Sequence, residues 1–225
     1  AKDRQSLAVW EEFHKSLLRG VEVDNSLTRQ DIERQRAQLE RDPIEWIKFF
    51  FPAYAKYEFA PFHIRAIRRV IANDEWYEVL SWSRELAKST VAMFILMFLT
   101  LTRRKRFVAL ASATIDSAKR LLLPFKINFE SNPRIRQFYG EQTTIGQWTD
   151  SEFSCRCGAK FIALGAGSAP RGMRNEAIRP DILYFDDYDT DEDCRNPVTL
   201  DKKWDWAEHA LYPTRSISEP TLVLW

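Results

Sequence analysis

The stretch EVLSWSRELAKSTVAMFILMFLTLT, residues 78–102, decides the fold class of this chain. Residues 78–82 predict a short apolar strand, and residues 88–102 predict a helix that is apolar nearly all round. A helix without a polar face must be buried on every side, so other elements have to surround it. The loop between these two elements places Lys-Ser-Thr in the first turn of the helix.

Strands and helices alternate on both sides of this stretch. Strands are predicted over residues 106–112, 181–185 and 221–225, and helices over residues 61–72 and 115–130. Residues 204–209 are expected to lie in a further helix, and residues 151–165 to form a hairpin with its turn at Gly158-Ala159. This alternation favours an α/β fold, in which a parallel sheet carries helices on both faces.

The first 40 residues predict a helical N-terminal arm, because their apolar residues recur at helical spacing. Asp24 or Asn25 is expected to start a charged helix that continues to Glu40. Asp42 and Pro43 then have the pattern of an N-cap and the first position of the next helix. We therefore divide the chain into an arm over residues 1–40 and one α/β domain over residues 41–225.

Composition excludes several classes of protein. A chain of 225 residues with 45% hydrophobic and 29% charged residues is not disordered. Its net charge of +1 excludes a uniformly basic nucleic-acid binder, although opposite charges can still gather in separate places. Three cysteines do not make a disulfide framework, which favours a reducing cytoplasm. The longest apolar run, residues 91–99, is too short for a bilayer that needs about 20 residues, so no membrane partner is expected.

The loop WSRELAKST, residues 82–90, is the predicted phosphate loop. Of the usual pattern GxxxxGK[ST], Lys88 and Ser89 are present, whereas Trp82 and Ala87 occupy the two glycine positions. Lys88 would reach the β- and γ-phosphates and the Ser89 hydroxyl would bind Mg²⁺. The nucleotide-binding residues expected from this loop are Ser83, Arg84, Glu85, Leu86, Ala87, Lys88, Ser89 and Thr90. The alternative is an ordinary strand-to-helix turn that contains Lys-Ser-Thr.

Two aspartates end the strand at residues 181–185, as in a Walker B motif. Asp186 would hold Mg²⁺, and Asp187 would polarise the attacking water as general base. Asp187 stands where glutamate is common and is one methylene shorter. The acidic residues that follow, Asp189 to Asp193, have two interpretations, a solvated loop or a second metal cluster, and we favour the loop.

Together these residues resemble the ATPase domain of the large terminase subunit, the DNA-packaging motor of tailed bacteriophages. The segments that carry the resemblance are SRELAKS, the strand and helix ALASAT and IDSAKRLL, the run GAGSAPRGMRNEAIRPDILYFDD, and FAPFHI at residues 59–64, in which His63 stands where glutamine is common. The resemblance covers roughly residues 40–225. It implies a P-loop NTPase of the RecA-like (ASCE) class with ATP and Mg²⁺ as cofactors.

The resemblance also implies roles for arginines. Arg84 resembles the loop arginine that senses or stabilises the γ-phosphate, and Arg171 resembles the arginine presented to a neighbouring subunit's ATP. Arg174 and Arg179 lie in the same segment and remain alternatives to Arg171.

The implied function is ATP hydrolysis that drives double-stranded viral DNA into a procapsid in the host bacterial cytoplasm. The implied partners are DNA, a portal protein, a small terminase subunit and further copies of the chain in a ring. The family's nuclease domain is expected to be absent from this chain. Two alternatives remain open: another P-loop DNA translocase or helicase-like ATPase, and a nucleotide-binding module that does not hydrolyse.

Two weaker features are given plain interpretations. Cys155 and Cys157 form a CxC pair, which is poor zinc spacing, so we expect an ordinary hairpin there. The basic run at residues 103–106 is interpreted as a connecting loop, and no DNA contacts are assigned to it.

Overall fold

In the computed structural model, which describes residues 11–12, 14–16, 18–170 and 178–225, six strands form one sheet with helices on both faces. The strands are β1 (Trp76–Glu78), β2 (Phe107–Ser112), β3 (Glu152–Ser154), β4 (Lys160–Gly165), β5 (Ile182–Phe185) and β6 (Leu222–Leu224). The helices are α1 (Arg29–Leu39), α2 (Pro43–Phe50), α3 (Pro61–Ala72), α4 (Lys88–Leu101), α5 (Ile115–Ser131), α6 (Pro133–Tyr139) and α7 (Pro197–Asp205). The described residues also form 3₁₀ turns at Asp193–Arg195 and Tyr212–Thr214 and a π-helical turn at Trp206–Leu211.

The sheet is parallel except at one edge. Its strand order is β1-β6-β5-β2-β4-β3, and only the pairing of β3 with β4 is antiparallel within the described residues. The α/β fold with a mostly parallel, helix-flanked sheet is therefore confirmed. The hairpin over residues 151–165 is confirmed as well, with Gly158 in the left-handed region at φ 94°.

Helix α4 lies at the centre of the larger core, as its sequence requires. Every residue from Val91 to Leu101 is buried, among helices α2, α3 and α5 on one face of the sheet. The central strand β2 is buried along its whole length and alternates between two cores. Val108 and Leu110 face the α4 side, whereas Ala109 and Ala111 face a smaller cluster that contains Trp206 and Leu211.

The N-terminal helix α1 begins later than the sequence predicts. Thr28 and Asp31 form a capping box, in which the Thr28 hydroxyl accepts the Asp31 backbone N–H and the Asp31 carboxylate accepts the Thr28 N–H. Asp24, expected to start the helix, instead accepts hydrogen bonds from Ser26 in a turn. Helix α1 packs on α6, where Arg36 donates to the backbone carbonyl of Phe138 at 3.0 Å.

One further element boundary was wrong. The strand predicted over residues 78–82 lies earlier in the chain, because β1 pairs with β6 from Trp76 to Glu78 and the exposed Val79 already belongs to the following loop. The helix predicted to contain residues 204–209 is confirmed: α7 begins at Pro197, where Asn196 caps it by accepting the Val198 N–H, and the π-helical turn Trp206–Leu211 continues it. Asp42 caps α2 as predicted. In the described part of the chain, no helix has the length and apolarity needed to traverse a bilayer.

Candidate functional site

The carboxyl ends of the parallel strands open into a cleft of about 620 Å³. It lies between the predicted phosphate loop, which enters α4, and the segment that leaves β5. Ligands of open parallel sheets bind at this edge, so the position is the one a functional site would take. The predicted site residues that line the cleft are Ser83, Arg84, Glu85, Ala87, Lys88, Ser89, Thr90, Asp186 and Asp187. Leu86 belongs to the loop but not to the lining.

The predicted phosphate loop turns into α4 without a glycine. Ala87, the N-cap residue, has φ 57° and ψ 29°, and Glu85 has φ 68°, so both residues adopt the left-handed conformation that glycine prefers. The carbonyl of Ala87 accepts the Val91 N–H at 2.9 Å, which closes the first turn. The loop therefore lacks the glycines of the usual pattern but keeps the backbone conformation that glycine favours.

Lys88 and Asp186 come together from opposite sides of the cleft. Lys88 Nζ lies 4.0 Å from Asp186 Oδ1, and the Asp186 side chain is fully buried. Asp186 Oδ1 also accepts the Asp187 N–H at 3.1 Å, and its Oδ2 accepts the Tyr184 hydroxyl at 2.5 Å. The two hydrogen bonds hold the buried carboxylate in one orientation, in which it faces Lys88.

Tyr184 is a member of the site that the sequence reasoning missed. Burial raises the pKa of its hydroxyl well above the ordinary value, and the adjacent Asp186 raises it further, so the hydroxyl keeps its proton and donates. The sequence could have predicted this contact, because side chains two residues apart in a strand lie on the same face, as Tyr184 and Asp186 do.

Asp187 sits in a strained backbone conformation at the end of β5, with φ 46°. Its carbonyl accepts hydrogen bonds from the Ser112 hydroxyl and the Ala113 N–H, both at 3.1 Å. These bonds tie the end of β5 to the end of β2 and hold Asp187 at the cleft. Strain of this kind costs about 1–3 kcal/mol and persists only where the surroundings impose it.

The donor set at this end of the cleft suits a hard divalent cation. Asp186 supplies a carboxylate and Ser89 a hydroxyl, the oxygen ligands that Mg²⁺ takes in nucleotide sites together with phosphates and waters. Within the described ranges, no group of three or more His, Cys, Asp or Glu side chains could hold a metal by itself. This finding leaves the second metal cluster considered after β5 without support.

The acidic segment after Asp187 is partly structural. Asp193 accepts hydrogen bonds from Lys203 Nζ at 2.5 Å and from the backbone and hydroxyl of Thr190, and these contacts lower its pKa to about 2. Arg84 reaches across the cleft mouth, with its guanidinium 3.9 Å from Asp191. Its side chain is 94% exposed, so it is free to swing towards a ligand.

An aromatic wall supports the predicted phosphate loop from the side of α3. His63 Nδ1 accepts the Ala60 N–H at 3.3 Å, and its Nε2 donates to the Leu86 carbonyl at 2.9 Å. Trp82 packs against Phe62 and His63, with ring centroids 5.0 and 5.1 Å apart. His63, which the sequence analysis noted only because glutamine is common at its position, therefore anchors the loop.

Of the three arginine alternatives, the structure describes Arg179 alone. Arg171 and Arg174 lie outside the described residues. Arg179 is exposed at the amino ends of the strands, in a different cleft of about 840 Å³. The four residues of β5 lie between it and Asp186, at about 3.3 Å each, so Arg179 cannot reach Lys88 of its own chain.

The basic run at residues 103–106 borders the same second cleft. Lys105 is buried, and its ammonium donates to the carbonyls of Asp74 and Pro220. Arg104 donates to the carbonyl of Ile71 at 2.6 Å. Half of this run therefore ties loops together rather than facing solvent.

Comparison with solved structures finds proteins of similar fold. The chain is similar to the large terminase of bacteriophage HK97, with a TM-score of 0.50 and 16% sequence identity, over 82% of this chain and 37% of that one. The chain has a terminase-like fold. At this identity the likeness concerns the fold alone, and the chain spans little more than a third of the HK97 protein's length. No family model matches the sequence, and no curated protein does.

Proposed function

We propose that this chain is the ATP-hydrolysing motor part of a large terminase, which drives double-stranded viral DNA into a procapsid. The observation that carries the proposal is the meeting of Lys88 and Asp186, 4.0 Å apart, at the carboxyl edge of a terminase-like sheet. A turn that held Lys-Ser-Thr by chance would have no reason to face a buried carboxylate that two hydrogen bonds hold in place.

In this proposal ATP binds along the predicted phosphate loop. The N–H groups at the start of α4 face the phosphates, and Lys88 leaves Asp186 to contact the β- and γ-phosphates. Ser89 and Asp186 hold Mg²⁺, which when bound neutralises charge on the β- and γ-oxygens. Tyr184 keeps the Asp186 carboxylate oriented throughout, because its hydroxyl remains protonated.

Asp187 is proposed as the general base that takes a proton from the attacking water. Because its side chain is short, the backbone of Asp187 has to lie close to the attacking water. The left-handed φ of 46° and the hydrogen bonds from Ser112 and Ala113 fix the position of this backbone. Arg84 is proposed to turn from Asp191 to the γ-phosphate, where a guanidinium offsets developing charge.

A second arginine is proposed to come from a neighbouring copy in a homo-oligomeric ring. Arg171 is the first candidate, with Arg174 and Arg179 as alternatives. The place of Arg179 at the opposite edge of the sheet supports supply in trans over supply within one chain. The portal protein, the small terminase subunit and DNA are the proposed partners, in the cytoplasm of the bacterial host.

The test is phosphate release by the wild type and matched variants. Lys88→Ala and Asp187→Asn are each expected to lower the rate about a hundredfold or more, because each removes a group that acts in the transition state. Lys202→Ala and Asp201→Asn, on the exposed face of α7, are the charge-matched controls and should leave the rate unchanged. Equal rates in all five proteins would refute hydrolysis at this site.

The trans arginine has its own experiment. The isolated chain should hydrolyse ATP slowly, since a monomer lacks the neighbour's guanidinium. Mixing Arg171→Ala with Asp187→Asn subunits in an assembled ring should restore part of the activity, because each mixed interface can combine an intact arginine with an intact base. No rescue would count against Arg171.

One alternative is favoured by specific observations. Ala87 and Asp187 both depart from the usual residues and both have positive φ, which would suit a module that binds nucleotide without hydrolysing it. That module would bind MgATP in a Lys88-dependent way and release no phosphate. A further alternative, a helicase-like P-loop translocase, would hydrolyse ATP but would show no procapsid dependence.

A further inference from the structure

Two cysteines occupy the tight turn that joins β3 to β4. The carbonyl of Cys155 accepts the Gly158 N–H at 2.9 Å, and the Cys155 N–H donates to the Ala159 carbonyl at 2.7 Å. The turn stands at the amino end of β4, the edge of the sheet opposite Lys88 and Asp186. Whatever these thiols do, the proposed ATP site does not use them.

The two thiols differ in their surroundings. Cys155 is 4% exposed and belongs to the larger core, whereas Cys157 is half-buried at its border. Both side chains pack against the same hydrophobic core, so the two thiols face the same side of the turn. The backbone of the turn is also fixed from outside, because Gln142 accepts the Cys157 N–H with its side chain and the Arg156 N–H with its carbonyl.

The two thiols also differ in pKa. Interaction with the Cys155 thiol, helped by the Ala159 N–H and the nearby Arg103 charge, lowers the pKa of Cys157 to about 7. Burial raises the pKa of Cys155 well above its ordinary value. A thiolate that is partly reachable from solvent is the form that attacks oxidants, and a neighbouring protonated thiol is the form that resolves the product.

We propose that Cys155 and Cys157 form a redox-active dithiol, which a peroxide oxidises to an intramolecular disulfide. Residues two apart in a tight turn lie within the Cα separation of roughly 4.4–6.8 Å that a disulfide needs. The pair is in the free dithiol form in this structure.

The chemistry takes two steps. The Cys157 thiolate attacks one oxygen of hydrogen peroxide, the O–O bond breaks, and the leaving hydroxide takes a proton to become water, which leaves Cys157 as a sulfenic acid. The Cys155 sulfur then attacks the Cys157 sulfur, the S–O bond breaks, and the Cys155 proton departs with the oxygen as a second water. The dithiol loses two electrons and two protons, and the peroxide is reduced to two waters.

The third cysteine provides an internal reference. Cys194 is exposed in the 3₁₀ turn Asp193–Arg195 and has no cysteine neighbour among the described residues. It is more accessible than Cys157, so a reaction governed by exposure alone would oxidise Cys194 first. A reaction governed by the paired thiols would oxidise Cys157 first.

The experiment counts free thiols after treatment of the folded chain with a small excess of hydrogen peroxide. The number should fall from three to one, peptide mapping should find Cys155 linked to Cys157, and dithiothreitol should restore all three thiols. In Cys155→Ser the reaction should stop at the Cys157 sulfenic acid, which a 1,3-dione probe captures. In Cys194→Ser the thiol count should fall from two to none at an unchanged rate.

The rate of oxidation should rise with pH and be half-maximal near pH 7, where the Cys157 thiol ionises. Circular dichroism of each serine variant checks that it is folded. Oxidation of Cys194 before Cys157, disulfides between chains, or a stable Cys157 sulfenic acid in the wild type would each overturn the proposal. None of these outcomes depends on ATP hydrolysis, so the dithiol and the proposed motor function are tested separately.

Discussion

Replacing Ala87 by glycine should stabilise this protein, although the same replacement inside a helix usually does the opposite. Ala87 has φ 57°, where an L-residue with a Cβ is disfavoured by roughly 1–2 kcal/mol. Its side chain is exposed, so removing the methyl group loses almost no buried surface. The two effects that remain are relief of backbone strain in the folded state and added freedom in the unfolded chain.

The magnitude follows from the difference between those effects. Relief of strain gains roughly 1–2 kcal/mol, and the freer unfolded chain costs about 0.4–1 kcal/mol, so the free energy of unfolding should rise by about 0.5–1 kcal/mol. For a chain of this length, each kcal/mol moves the melting temperature by about 2–4 °C, so we expect an increase of roughly 1–4 °C.

Equilibrium urea unfolding measures the change, with Ala92→Gly as the matched control. Ala92 is fully buried in the middle of the same helix, and glycine there should destabilise the protein by about 1 kcal/mol or more. The two substitutions are chemically identical and are expected to have opposite signs. If Ala87→Gly also destabilises the protein by about 1 kcal/mol, the left-handed conformation of the predicted phosphate loop is refuted.

Three further predictions concern single contacts. Tyr184→Phe leaves one lone pair of the buried Asp186 carboxylate without its donor, so the free energy of unfolding should fall by about 1–3 kcal/mol in urea titrations and phosphate release should slow. Gly165→Ala should destabilise by about 1–3 kcal/mol in the same assay, because its Cβ would lie 2.6 Å from a backbone nitrogen at the start of α5. Asp193 has a pKa of about 2 in the folded protein, below its ordinary value of 3.8, so its contact with Lys203 stabilises the fold above pH 4, and this stabilisation is lost as the pH falls towards 2. Asp193→Asn should remove that part of the acid dependence of unfolding.

The sequence predicted those elements in which one physical requirement dominates. Helix α4 was predicted within a residue at its end, because an uninterrupted apolar run of this length has to be a buried helix. The strand β5 was predicted for a similar reason, since four apolar residues precede two aspartates. Strand β1 was misplaced because it has three residues at an edge of the sheet, and its limits are set by pairing with β6 rather than by its own pattern.

Only part of the arrangement of the candidate site could be predicted from the sequence. The positions of Lys88 and Asp186 at one edge follow from the rule that parallel strands point the same way, so their proximity was predictable. The bond from His63 to the Leu86 carbonyl was not, because it depends on how α3 packs against a loop distant in the chain. The left-handed φ of Ala87 could not be predicted either, because alanine usually adopts a negative φ.

The charge of the cleft leads to a last prediction, about metal dependence. The described residues of its lining include two cations, Arg84 and Lys88, and five carboxylates. These five, which leave a formal excess of three negative charges among the described residues, are Glu85, Asp186, Asp187, Asp189 and Asp191. Free ATP is itself strongly anionic, so without a divalent cation the cleft should repel it. Binding measured by calorimetry should therefore weaken at least tenfold, about 1.4 kcal/mol, when Mg²⁺ is replaced by a chelator.

The control for this prediction is Asp191→Asn, which removes one carboxylate that lies at the mouth of the cleft and takes no part in the proposed metal site. It should strengthen the binding of metal-free ATP more than that of MgATP, because the repulsion it relieves is larger for the more anionic ligand. Equal affinity for ATP with and without Mg²⁺ would mean that the acidic side chains do not face the phosphates. In that case the nucleotide would not lie between the predicted phosphate loop and the end of β5, and the roles proposed for Asp186 and Asp187 would fail with it.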